Sequence, residues 1–503
     1  MSINFTAAQV QELSMNHRVI PIIRTLFSGT ETPVSIFEKL ASSNAGSFLL
    51  ESAEAGVWSR YSFIGVHSRG MLSGNLGSVA WLGQKGAYPD SNRQIPSGAL
   101  DALESIEEAW TGPAIEGCPP LVSGLVGLLG WNVIREIEHL PNAKPKDFDS
   151  PDIAFALFED LVVVDHVNSS LLLIANIFVD DNFDLGTSYL DALTRIDNLL
   201  AGLQKPTLPL FAELDLQSEL KLQTTIDKSE YFSAVEKAKE YIRIGDVFQV
   251  VIGQRFEQET SATPLDVYRV LRALNPSPYM YLLNFVDENG PYAVVGSSPE
   301  ALVKVSGNRA ITHPIAGSRP RGLNAESDAA NAEELLADAK ERAEHLMLVD
   351  LARNDLLKFC RPDSVAVSEF MKIERFSHIM HLVSTVEGEL DEGVRSTHVF
   401  RATFPAGTLS GAPKPRALEI IDELETKNRG LFGGVVGYFD FAGNADLAIT
   451  IRTAFMRDGV AHVQAGAGLV LDSVAETEYQ ETISKASAPM RAVISANGMK
   501  RVL

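Results

Sequence analysis

Apolar residues in the first third of the chain fall in short runs separated by Gly, Pro and Asn: "GSFLLES" from 46, "YSFIGVH" from 61, "SVAWLG" from 78, "FALFEDLVVVDHV" from 155 and "SSLLLIANIFV" from 169. Runs of this length, rich in Val, Ile, Leu and Phe and bounded by turn residues, predict β-strands. At Asp184 the period changes, and "DLGTSYLDALTRIDNLLAGL" reads as a helix to Leu203. "QKPTLPLFAELDLQSEL" after it reads as a linker, so a boundary is expected near residue 210, dividing a β-rich part, 1–210, from a second part, 211–503.

The second part opens on a helical pattern, "DKSEYFSAVEKAKEYIRIG", ended by Gly245 and followed at once by the strand-like "DVFQVVIGQRF". One long helix is expected over 327–359 and another after the Pro/Gly-rich "PAGTLSGAPKP". The chain closes on strands over 447–473, with Arg452 read as lying inside one of them, and a helix from Ala475. Strands joined by hairpins with helices appended predict an α+β fold with large antiparallel or mixed sheets.

Composition narrows the function classes. The 503 residues are 45% hydrophobic and 21% charged, which suits a globular protein large enough for two cores. With 65 acidic against 43 basic residues the formal charge is −22, and no basic patch offsets it, so neither nucleic acid nor an anionic membrane is an expected partner. An anionic substrate would need local cations. Two cysteines, Cys118 and Cys360, are too few for a disulfide framework or a thiolate zinc site, no secretory pattern opens the chain, and a cytoplasmic location is expected.

Two helical carboxylate pairs are the first candidates for chemistry. Glu341 and Glu344 share one helix face, as do Glu478 and Glu481, with Lys485 four residues further on. Either pair alone reads as a solvated face. Facing each other across a cleft, they would suit Mg²⁺, which takes one or two carboxylates directly and keeps waters for the others. Glu300, after a Ser-Ser-Pro turn, is an exposed acid or, if buried, a proton donor; His381 is a core histidine or a base. The Gly-rich stretches complete no nucleotide-binding pattern, but they let backbone donors approach a compact anion.

Eight segments in order resemble the chorismate-utilising enzymes, most closely their anthranilate synthase component I branch. They are "LLES" (49–52), "RYSFIG" (60–65), "NPSPYM" (275–280), "SSPE" (297–300), "PIAGS" (314–318), "EHLMLVDLARND" (344–355), "PAGTLSGAPK" (405–414) and "VQAGAGLVLDSVAETEYQET" (463–482). The resemblance implies the chorismate-utilising fold, with helices packed on large sheets around a central cleft. It also implies conversion of chorismate and ammonia to anthranilate and pyruvate through aminodeoxyisochorismate, the first step of tryptophan biosynthesis. By the same resemblance, Glu344 and Glu481 ligate Mg²⁺ while Glu341 and Glu478 hold its waters. Glu300 is the acid that protonates the departing C4 hydroxyl, His381 the base that takes the C2 proton, and Thr408 lies beside the ring with Gly317 and Ser318. Arg452, Lys485 and the backbone at Gly468 hold the carboxylates.

Ala316 sharpens this picture. Related aminodeoxychorismate synthases carry a nucleophilic lysine there, and isochorismate synthases a water-activating lysine at the place of Gln249. A methyl and a neutral amide do neither job, so ammonia addition at C2 is implied. Ser318 and Phe432 replace the family's usual Thr and Tyr.

The resemblance further implies L-tryptophan feedback at Leu50, Glu51, Ser52, Pro278, Tyr279, Met280, Val436 and Tyr438. Neither cysteine lies in a GxCxG-like elbow, so the chain is expected to take ammonia from a separate subunit or as dissolved NH₃; the resemblance implies a glutamine amidotransferase subunit, in a heterotetramer. Two alternatives stand beside this reading: an aminodeoxyisochorismate synthase lacking the lyase step, and a catalytically silent tryptophan-binding regulator.

Overall fold

The computed structural model describes residues 3–52, 60–207, 210–216, 220, 222–375 and 379–502. Among them, 21 strands join in one hydrogen-bonded network, with helices packed against it. Every pairing between named strands is antiparallel, as hairpin connections require. The five strand-like runs of the first third are strands, the longest being Tyr61–Asn75 and Ile153–Asp165. Ile153–Asp165 is buried at all but one position, which is why its sequence is a continuous apolar run and not an alternation.

Strands from either side of residue 210 pair with one another. Ser47–Glu51 lies against Tyr279–Asp287, and Gly124–Leu129 against Val435–Asp440. The segment near residue 210 is therefore a connection across a shared sheet, and its described part pairs Ala212–Glu213 with Lys500–Arg501. The strand pairs Tyr279–Asp287 with Gly290–Ser298 and Gln249–Glu259 with Val460–Leu469 carry the chain toward the cleft.

Two sequence expectations are corrected. The helix expected over 327–359 is two, Ala325–Ala337 and Ala339–Leu356. Asp338 separates them with φ −69° and ψ 110°, its carboxylate accepting hydrogen bonds from the backbone N–H groups of Lys340 (3.0 Å) and Glu341 (3.1 Å). A short acidic side chain competes with the helix ladder in this way and starts a new helix. Arg452 does not lie within a strand: it sits in the break between Ala445–Ile449 and Thr453–Arg457 with a left-handed φ of 49°.

Candidate active site

The chorismate-binding candidates meet in one cleft of about 590 Å³, a size suited to a small organic ligand. Its walls come from four directions. The first is the edge Ile315–Pro320, where the pairing with Ile379–Glu389 slips by one residue between Ala316 and Ser318. Gly317 occupies that bulge with φ 67°, and a Cβ there would lie 3.0 Å from Glu341 Oε2. Only glycine fits both the backbone and the approach. The bulge turns the Gly317 carbonyl to His381, whose Nδ1 donates to it at 3.0 Å. A carbonyl accepts only, so Nδ1 carries the proton and Nε2 the lone pair of the neutral ring. Burial lowers the His381 pKa, the Gly317 bond opposes this, and Arg452 lowers it further.

The second wall is Glu300, reached by the strand Gly290–Ser298. Burial pushes its carboxyl up to about 7, against a hydrogen bond donated by Thr408 Oγ1 (3.0 Å) and the nearby charges of Lys485 and Arg452. Near neutral pH it is therefore half protonated, the state a proton donor needs.

The remaining walls are the N-terminal halves of two helices. Ala339–Leu356 presents Glu341 and Glu344, and Ala475–Asn497 presents Glu478, Glu481 and Lys485. Glu344 is raised by burial, then by Glu341, and also by Glu481. Glu478 is raised by burial and by Glu481. Mutual repulsion across the cleft is thus part of its electrostatics. Lys485 Nζ pairs with Glu481 (2.7 Å) and donates to the Gly466 carbonyl (3.0 Å), while Arg319 approaches Glu341 at 3.5 Å. Among the described residues no three acidic, imidazole or thiol groups converge as a compact metal cage. The four carboxylates repel one another here, and a bound divalent cation would relieve that repulsion.

Comparison with known proteins agrees with this geometry. A family model described as a chorismate binding enzyme matches residues 68–491. Anthranilate synthase component 1 of Arthrobacter globiformis is 50% identical over 501 residues, covering 98% of this chain and 94% of that one. This chain belongs to the anthranilate synthase component 1 family. The Mycolicibacterium smegmatis member is 49% identical over 494 residues, 96% of this chain and 92% of its own. The crystal structure of anthranilate synthase component I from Streptococcus pneumoniae superposes with a TM-score of 0.75 at 34% identity, over 92% of this chain and 99% of that one. The menaquinone-specific isochorismate synthase of Escherichia coli, at 18% identity, covers 97% of this chain and 98% of its own with a TM-score of 0.67, which speaks for the fold alone.

In this member of the anthranilate synthase component 1 family, Ala316, Ser318, Arg452 and Gly468 also line the cleft. At Gly468 a Cβ would come within 2.6 Å of Gln249 Nε2, whose amide reaches Glu344 Oε1 at 3.5 Å. Lys340 is a lining residue that sequence reasoning did not single out; it eases the charge on Glu344 and Glu478. Its position four residues before Glu344 was the available signal. Gln464 and Phe432 also line the cleft.

Of the residues expected at a tryptophan site, Leu50, Glu51, Tyr279 and Met280 lie on two neighbouring strands. Glu51 pairs with Met280 and Leu50 with Tyr281, and Leu50 packs on the core that holds Val436 and Tyr438. The Tyr279 hydroxyl donates to Asp446 at 2.9 Å. The Glu51 carboxylate is already engaged: Arg272 donates to it twice, at 2.7 and 2.8 Å, and Tyr268 once, at 2.8 Å. Ser52 Oγ is buried with no hydrogen-bond partner among the described residues, so of the two polar groups expected to meet a ligand, Ser52 is the one with capacity to spare. Pro278 directly precedes the strand Tyr279–Asp287.

Proposed function

We propose that the chain is the aminating component of an anthranilate synthase, turning chorismate and ammonia into anthranilate, pyruvate and water. The observation that carries this reading is the pairing of opposite proton roles in one cleft: Glu300 raised to about 7 beside Thr408, and His381 kept neutral with its proton on Nδ1. Two titratable groups pushed toward opposite tasks are the mark of acid and base assignments.

In this mechanism Arg452, Lys485 and the Gly468 backbone bind the carboxylates of the substrate. As ammonia adds at C2, Glu300 gives its proton to the C4 oxygen, which leaves as water while the ring double bonds shift. The added nitrogen loses a proton to become the neutral amine; His381 Nε2 then takes the C2 proton, the C3–O bond to the enolpyruvyl group breaks as the ring becomes aromatic, and the released enolpyruvate is protonated at carbon to pyruvate. Glu344 and Glu481 would hold Mg²⁺ directly and Glu341 and Glu478 through water; the cation supplies charge neutralisation and Lewis acidity at the ring carboxylate. Ala316 and Gln249 offer no amine to compete as nucleophile or to activate water.

Tryptophan feedback is supported by register. Tyr279 pairs with Ser298, whose hydroxyl accepts from the Glu300 N–H at 3.4 Å, so a shift at Tyr279–Met280 reaches Glu300 across one strand. Inhibition requires that tryptophan bind one arrangement better than the other. The reading includes a separate glutamine amidotransferase subunit in a heterotetramer, because neither thiol of this chain suits a glutaminase nucleophile. Cys118 is half-buried and Cys360 buried, and burial raises both, Cys360 to about 11, unlike a nucleophile. The chemistry suits a cytoplasmic biosynthetic enzyme, and no described helix is long and apolar enough to cross a membrane.

The test is incubation of the chain with chorismate, Mg²⁺ and ammonium salt at alkaline pH, following anthranilate fluorescence and pyruvate. Equal yields, lost with EDTA and in Glu481→Ala, are expected. Chorismate consumed without pyruvate would move the assignment to an aminodeoxyisochorismate synthase, and no consumption to a tryptophan-binding regulator.

A further inference from the structure

Two arginines flank Pro320, the last residue of the strand that forms the first wall of the cleft, and neither lines the cleft itself. Both bind the helix Ala325–Ala337. Arg321 pairs with Asp328 in its first turn at 2.6 Å, and Arg319 with Glu334 near its end at 3.0 Å. Arg319 reaches further. Its Nη2 donates to Asp338 Oδ2 at 2.8 Å, and its Nη1 donates to the Ser318 carbonyl at 2.9 Å and reaches Glu341 Oε1 at 3.5 Å. A guanidinium presents five N–H groups in a rigid fork, so this one side chain joins the strand, both helices and the break between them.

Asp338 turns that contact into a constraint on the glutamates. Its Oδ1 accepts from the N–H groups of Lys340 and Glu341, and so fixes the first turn of the helix that carries Glu341 and Glu344. Its Oδ2 is taken by Arg319. The same guanidinium therefore sets the start of that helix relative to Ser318, which pairs with His381 across the ladder. The fit is close: a Cβ on Gly317 would meet Leu335 Cδ1 at 3.1 Å and Glu341 Cβ at 3.3 Å. Carboxylates and base are thus held to one point outside the cleft. Charge alone argues the other way. A guanidinium 3.5 Å from Glu341 repels a second cation at the same carboxylate, so an arginine present only for charge balance would compete with Mg²⁺.

We infer that Arg319 is a positioning residue, which holds Glu341 and Glu344 in place against the strand of His381 and thereby favours the binding of an Mg²⁺ ion that its own charge opposes. The inference rests on the Mg²⁺ reading above. A cation that keeps several of its waters demands near-ideal placement of the few carboxylates it meets, and partners outside the ligand set fix that placement. Without the fork of Arg319, the helix keeps its Asp338 cap, but the cap loses its tie to the strand. The separation between the glutamates and His381 then varies, and both metal binding and the proton transfer weaken.

The experiment titrates Mg²⁺ into the chorismate-free full chain by calorimetry, for the wild type, Arg319→Gln and Arg319→Lys, and then measures kcat with chorismate, ammonia and Mg²⁺ saturating. Positioning gives an Mg²⁺ Kd about tenfold higher in Arg319→Gln and about threefold higher in Arg319→Lys, which keeps the charge but not the fork. It also gives a kcat about tenfold lower in Arg319→Gln, with the chorismate KM within about threefold of wild type. Charge balance alone gives the opposite sign: tighter Mg²⁺ in Arg319→Gln and no change in Arg319→Lys. Should Arg319→Gln not fold, Arg319→Lys carries the test by itself. Folded variants that bind Mg²⁺ as tightly as the wild type or more tightly, or that keep its kcat, would overturn the inference and leave the metal reading standing. A wild-type chain that binds no Mg²⁺ would overturn both.

Discussion

Two carboxylates separated by a single strand show how differently one fold can treat the same group. Glu51 pairs with Met280, Tyr279 pairs with Ser298, and Glu300 follows two residues later. The Glu51 side chain is 2% exposed and closed off by a bidentate guanidinium and a phenol. Glu300 receives one hydroxyl, with its cations acting only through space, and its pKa climbs to about 7. Glu51 is fully buried and Glu300 partly so; the difference is whether desolvation is matched by a hydrogen-bonded cation. A matched acid is a structural joint, and an unmatched one holds a proton it can give away.

The largest effect expected from breaking this contrast is on chemistry. Glu300→Gln keeps the shape and removes the transferable proton, so kcat for pyruvate release should fall by about 10²–10⁴-fold with the chorismate KM within about threefold of wild type. A retained kcat would remove Glu300 from the acid role.

Next comes the joint. Arg272→Leu leaves Glu51 buried with Tyr268 alone, and should cost about 2–3 kcal/mol of unfolding free energy, read as a lower denaturant midpoint at unchanged slope. Because Arg272 is 41% exposed, the full cost of an orphaned interior charge is not expected. A midpoint unchanged from wild type would show that the joint is not structural.

The pH profile is a third, finer probe. Expressed per neutral ammonia, kcat should fall on the alkaline side near pH 7 as Glu300 ionises, and on the acid side below the usual imidazole range, since burial lowers His381. The Thr408 hydrogen bond lowers the Glu300 pKa, so Thr408→Val should move the alkaline limb upward. Stability follows the same sign. The folded pKa of Glu300 lies above its ordinary 4.5, so its contribution is full below 4.5 and is lost as pH rises through about 7. An alkaline limb insensitive to Thr408→Val would show that another group sets it.

Smallest is the relief of repulsion at the cleft mouth. Glu341→Gln in metal-free protein should raise unfolding free energy by about 0.5 kcal/mol, because the site is half-exposed and screened. The same change should reduce the stabilisation that added Mg²⁺ gives, measured as the shift in thermal midpoint.

Much of this was legible along the chain. The strand Ile153–Asp165 is a continuous apolar run because the sheet there is covered on both faces, and the helix from Ala475 follows its carboxylate spacing. Three things were not legible. Asp338 divides a helix whose apolar period runs through it, because a cap is a competition between side chain and backbone that periodicity does not register. Arg452 looks like a strand residue by its neighbours, yet a left-handed φ turns it out of the ladder. Pairing across residue 210 joins segments more than two hundred residues apart, which no local pattern encodes.

The sequence by itself determined which residue types were available: four glutamates at helical spacing, one histidine among apolar neighbours, one acid after a turn, and a methyl at Ala316 where an amine would change the chemistry. These are matters of local order and covalent chemistry, and they survive any folding. Only the tertiary structure decided that the glutamates share a cleft and that Glu300 is raised while its neighbour Glu51 is locked. Each of those depends on desolvation and on charges brought close by long-range pairing, and both are properties of the folded surroundings of a residue, not of the residue.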